Sequence, residues 1–163
     1  MILGITGTRN PISEEQHAWL DLAIAEAERV HHGACVNADE DSHDLALEYG
    51  AEIVVHPPTN ERLMMPREKW YIRDRISVRP AKPYNDRNRD IVSECDELLA
   101  LPDGPYRQGS GTWNTVRFAL AARKPVTIVY PDGRRRVYPD AAGWKGPVNP
   151  SSVHADGRNP TTE

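Results

Sequence analysis

The sequence predicts an α/β protein: a doubly wound, mostly parallel five-stranded sheet with helices on both faces. Two observations lead there. Short apolar runs at residues 2–6, 34–36, 53–55, 98–101 and 126–130 are hydrophobic on both faces, as strands buried between two helix layers must be, whereas a sheet with one wet face alternates. The stretches between them carry helical spacing, so strand and helix alternate along the chain in the order that builds a parallel sheet.

The first strand, 2–6, opens the chain. Ser13 and Gln16 have capping-box spacing, and Leu20, Ala23, Ile24, Ala27 and Val30 recur three and four residues apart. This spacing predicts a first helix that ends near His31 and His32, followed by the second strand at 34–36. A second helix is expected over 39–49 with Gly50 as its stop, then the strand at 53–55. A third helix is expected over 86–95, the fourth strand over 98–101, and a fourth helix over 112–123. Arg123 and Lys124 close that helix favourably against its dipole. The strand at 126–130 completes the sheet.

Two stretches break the alternation. Residues 57–86 contain five prolines, seven Lys or Arg and four Asp or Glu, and read as an insertion: a lid, a binding loop or a subunit contact rather than part of the sheet. Residues 131–163 hold five Pro and four Gly but only eight apolar residues, and read as a tail to a domain spanning 1–130. Val137, Tyr138 and Trp144 are its candidate anchors, and its last dozen residues are expected to stay mobile.

Composition narrows the function. At 163 residues and 39% apolar the chain is one soluble-type domain, and a net charge of −4 argues against a nucleic-acid or membrane-surface partner. No apolar run reaches the roughly 18 residues a spanning helix needs, and no basic leader opens the chain. Cys35 and Cys95 lie in apolar surroundings, which suits a reducing compartment, so a cytoplasmic location is expected.

In a parallel sheet the loops after the strands carry the ligand. Thr6-Gly7-Thr8-Arg9-Asn10, Asn37-Ala38-Asp39, His56-Pro57-Pro58 and the stretch from Pro102-Asp103-Gly104 to Gly109-Ser110-Gly111-Thr112 should therefore converge on one edge. Two glycines and two hydroxyls open the fourth helix, whose first turn, Trp113-Asn114-Thr115, has no acid. The first two helices instead carry Glu14 and Glu15, and Glu40 and Asp41, which repel an anion. A phosphate is therefore expected on Gly109, Ser110, Gly111 and Thr112, with Gly7, Thr8, Arg9, Arg87 and Asn88 as further contacts. Trp70 and Tyr71 either stack on a base or pin the insertion to the domain. No histidine, cysteine or acidic spacing fits a zinc or calcium site, so no metal and no cofactor are expected.

Gly4-Ile5-Thr6-Gly7-Thr8-Arg9, residues 32–39, Arg87-Asn88 before a helix and Gly109-Ser110-Gly111-Thr112 before the last helix together resemble the SLOG superfamily. That superfamily joins the Smf/DNA-processing proteins, the Lonely Guy (LOG) phosphoribohydrolases and related nucleotide-binding domains, and the likeness covers about the first 130 positions. The resemblance implies a Rossmann-like fold that holds a nucleotide, with the phosphate on the last glycine loop. It also implies a candidate hydrolase, a nucleotide N-glycosidase acting on nucleoside 5′-monophosphates. LOG enzymes place a catalytic glutamate three residues after the loop threonine; this chain has Thr115 there, and Asn37 replaces a glycine common in the second motif. If the bond is cleaved, Asp39 or Asp103 must supply the carboxylate that stabilises a cationic sugar. The alternatives are a non-catalytic module that senses or sequesters a nucleotide-derived signal, and, third, a single-stranded DNA binder. Self-association into a homo-oligomer is expected.

Overall fold

The computed structural model describes residues 1–70 and 74–139. Seven strands form one sheet: β1 (Ile2–Gly7), β2 (Arg29–His32), β3 (Glu52–Val55), β4 (Ile76–Val78), β5 (Glu97–Leu101), β6 (Val126–Val129) and β7 (Arg135–Tyr138). Their spatial order is β4-β3-β2-β1-β5-β6-β7, all parallel except β7. Helices α1 (Glu14–Ala25) and α2 (Ala38–Tyr49) pack together on one face, and α3 (Tyr84–Glu94) and α4 (Gly111–Ala121) on the other. The doubly wound α/β class is as the sequence predicts. The chain steps outward from β1 to β4, then returns through α3 to lay β5 on the other side of β1. The crevice between the carboxyl ends of β1 and β5 is thus the switch point where such sheets bind ligands.

Two strands lie where the sequence reading placed none. Ile76–Val78, inside the supposed insertion, pairs with β3 as an edge strand, so residues 57–86 do contribute to the sheet. The position is permissive because Pro80 follows the strand and only one side of it needs ladder donors. The preceding stretch is also built in: Met65 and Trp70 are buried in the core, and Cys35 pairs with Met64. Trp70 therefore pins the segment; Tyr71 lies outside the described residues. The second extra strand is Arg135–Tyr138, in the supposed tail, which runs back antiparallel along β6 through a turn at Gly133 and buries Tyr138. Trp144 and the rest of the tail also lie outside the described residues.

The first helix is shorter than predicted. Its capping box of Ser13 and Gln16 is present, but it ends at Ala25, and Val30 belongs to β2. Val30 falls on the helical period by coincidence; parallel pairing with Leu3 on one side and Ile53 on the other decides its structure. Residues 34–36 are not a strand. Ala34 has φ of 60°, and the stretch bonds to residues 63–65 instead.

Candidate functional site

At the switch point lies a cavity of about 500 Å³, lined from the loops after β1, β2 and β5 and from the starts of α2, α3 and α4; the loop His56-Pro57-Pro58 after β3, expected at the same edge, is not among its lining residues. All eleven residues singled out from the sequence border it: Gly7, Thr8 and Arg9 after β1, Asp39 in α2, Arg87 and Asn88 in α3, Asp103 after β5, and Gly109, Ser110, Gly111 and Thr112 at α4. The loop after β1 is held by the Thr8 N–H donating to the Leu101 carbonyl at 2.9 Å, and by Asn10 Nδ2 donating to Asp103 Oδ2 at 3.3 Å. Gln16, fully buried, donates to the carbonyls of Pro102 and Val129 and fixes the start of the loop after β5.

The expected anion seat lies at the α4 entrance. Ser110 is the N-cap, its Oγ accepting from Trp113 N, and the first turn carries no acid. Gly109 has φ of 81°, a left-handed conformation that turns the loop into the helix without strain for this residue. A Cβ placed at Gly111 meets nothing, so the backbone there is open to the cavity. Thr115, in the position of the LOG glutamate, is fully buried and donates to the Gly111 carbonyl at 2.8 Å.

Opposite sit two buried charged side chains, Asp39 and Arg87. Asp39 Oδ2 accepts from the Cys35 N–H at 3.1 Å, and burial pushes the Asp39 carboxyl up from its ordinary value, opposed by Arg87, the N–H groups of Cys35 and Gly33, and Arg9. Arg87 reaches the carbonyls of Gly33 and, at 3.2 Å, His56, while its buried Nε has no hydrogen-bond partner. A side chain at Gly33 would occupy the space of this guanidinium. Burial also pushes the Cys35 thiol up, so it is no thiolate nucleophile. Asn37 adopts φ of 68°, the conformation a glycine supplies most readily, and its side chain donates to the Arg9 carbonyl.

Several lining residues escaped the sequence reading, among them Tyr84, Asn85 and Arg107. Tyr84 is the most informative. Its ring centre lies 4.4 Å from the Arg9 guanidinium carbon and 5.4 Å from that of Arg87, so it orients two cations at the rim. Its position after Pro83, opening a helix at the crevice, was the available signal.

No protein-family profile matches the chain, and no curated protein matches it. Solved structures do. The molybdenum cofactor binding protein of the phototrophic bacterium Rippkaea orientalis aligns with TM-score 0.58 and 21% identity over 79% of this chain and 76% of its own. The Moco carrier protein of Chlamydomonas reinhardtii aligns with TM-score 0.55 and 21% identity over 78% and 74%. DNA processing protein A of Streptococcus pneumoniae aligns with TM-score 0.59 and 19% identity over 77% of this chain, which spans about half (49%) of that protein's length. The likeness is one of fold, and it includes a protein of the DNA-processing group to which the sequence motifs point. The chain therefore has the Rossmann-like fold that the SLOG resemblance implies.

Proposed function

We propose that this protein binds a phosphate-bearing, nucleotide-type small molecule in the cavity between β1 and β5, without cleaving it. One observation carries the reading: an acid-free helix start with an open glycine backbone faces the same cavity as Arg9, and the two together supply N–H donors and a positive charge. A volume of about 500 Å³ suits a ligand of nucleotide size. Structures of this fold include proteins named for the molybdenum cofactor, which supports a small-molecule partner.

The disposition of the carboxylates favours binding over N-glycosidic hydrolysis. Asp39 is turned to the backbone of its own loop and to Arg87, and Asp103 accepts from Asn10. Neither is a free carboxylate poised at a sugar. Single-stranded DNA binding is disfavoured in turn, because four of the basic residues of 57–86 are paired with acids: Arg67 with Glu61, Lys69 with Glu40 and Asp44, Arg79 with Glu94, and Lys82 with Asp90. Calorimetry with a panel of nucleoside monophosphates, run beside an assay for released base, tests the reading. Binding without base release is expected; steady release of base restores the hydrolase.

A further inference from the structure

Away from the cavity, on the α3 face of the sheet, three donor atoms converge. His31 Nδ1 stands 2.9 Å from His56 Nε2, and Glu94 Oε2 lies 3.4 Å from the first and 3.6 Å from the second. We propose that His31, His56 and Glu94 form a binding site for a divalent transition-metal ion of the zinc type.

The topology explains the convergence. β2 and β3 are parallel neighbours in which His31 pairs with Val54, so His56, two residues on, points to the same face. Glu94 lies seven residues after Arg87 on α3, two turns along the same helix face. Sequence spacing alone could not reveal the set, because 25 residues separate the histidines and 38 more lead to the acid.

The dimensions suit the ion. With metal–ligand bonds of about 2.0–2.1 Å, tetrahedral geometry places donors about 3.3–3.4 Å apart, close to the three separations here. Two imidazoles and one carboxylate match zinc and its first-row neighbours rather than magnesium or calcium, which take oxygen. The histidines are 2% and 1% exposed, so packing fixes them before any ion arrives, whereas the Glu94 side chain is 34% exposed and leaves an entry and room for a fourth ligand such as water.

A second buried histidine pair shows what a purely structural one looks like. His32 Nε2 meets His43 Nδ1 at 3.0 Å, His32 Nδ1 accepts from the Ala34 N–H, and His43 Nε2 faces the Lys69 carbonyl. The contacts recorded for that pair among the described residues are to backbone and to each other. At the first pair His31 Nε2 has no hydrogen-bond partner and a carboxylate faces both rings. Arg79, 45% exposed, holds Glu94 at 3.1 Å and is the cation an incoming metal displaces.

Calorimetric titration of the EDTA-stripped chain with zinc chloride is expected to show one ion per molecule, with a rise in melting temperature. Glu94→Gln keeps the size and removes the charge at a partly exposed position, and should weaken binding at least about tenfold. Arg79→Gln removes the competing cation and should tighten binding several-fold. Cobalt should give the visible absorption of a four-coordinate site in the parent, lost in His56→Asn. Absence of stoichiometric uptake, or unchanged zinc affinity in Glu94→Gln, overturns the assignment. Gly111→Asp, at the α4 cradle, should bind zinc as the parent does, so failure of this site and failure of the nucleotide reading are separately visible.

Discussion

Asp39 occupies the place where a catalytic acid would be sought, yet its contacts are those of a loop anchor. It receives the N–H groups of Gly33 and Cys35 and balances the buried Arg87. Asp39→Asn should therefore act first on stability, because it removes a buried negative charge that holds the Cys35 N–H and interacts favourably with Arg87. A loss of about 1–3 kcal/mol in a urea melt is expected, from weakening a buried hydrogen bond to a charged group. If stability is unchanged and base release from a nucleotide is abolished, the residue is catalytic after all. Asp103→Asn, partly exposed, should alter neither. At α4, Gly111→Asp sets a carboxylate at an anion seat with space to receive it. It should lower affinity for a nucleoside monophosphate by about 10–100-fold, the worth of one or two charge-assisted bonds, with little change in melting temperature. Unchanged affinity would put the phosphate elsewhere.

At the scale of elements, the sequence was informative where local chemistry and tertiary demand agree. The capping box of α1, Gly50 at the end of α2 and the doubly apolar strands β1, β3, β5 and β6 all lie where their residues predict. Three of the failures share one cause. Val30, Ile76–Val78 and Arg135–Tyr138 take strand conformation because a neighbour offers a ladder, which no pattern within three or four residues encodes. The cavity residues were legible because strand-end loops announce themselves through Gly, Thr and Asn; the histidine cluster was not, because it is assembled across three elements. The segment 57–70 is fastened by the burial of Met65 and Trp70. Trp70→Ala should cost about 3–5 kcal/mol and make this segment the first site of cleavage in limited proteolysis. Cleavage elsewhere first, with stability intact, would mean that the tryptophan is no anchor.

For the whole molecule, buried histidines set an acid limit. Burial, aided by neighbouring positive charge, lowers His31 to about 4 and His56 to about 3, and holds His32 well below its ordinary value. The unfolded chain binds these protons near pH 6.5 and the folded chain resists them, so stability is full above that pH and falls as pH drops toward 4 and then 3. At pH 5 the loss is of order 2 kcal/mol for His31 or His56. Melts of EDTA-treated protein from pH 7.5 to 4.5 should show it, and His56→Gln should flatten the slope. A stability profile level down to pH 5 would refute the linkage.

The two rims of the sheet also govern how copies of this molecule can meet. β4 is only three residues long and stands between Arg75 and Arg79, while β7 carries Arg135 and Arg136, the first lying 3.8 Å over the Trp19 ring. Short strands bordered by cationic side chains make poor templates for another strand, because a second copy would bring its own arginines against them. Growth by sheet extension is thereby discouraged at both ends. A contact built instead on the α1 and α2 layer, where Leu22 and Tyr49 remain in solvent, would leave the crevice between β1 and β5 open to a ligand.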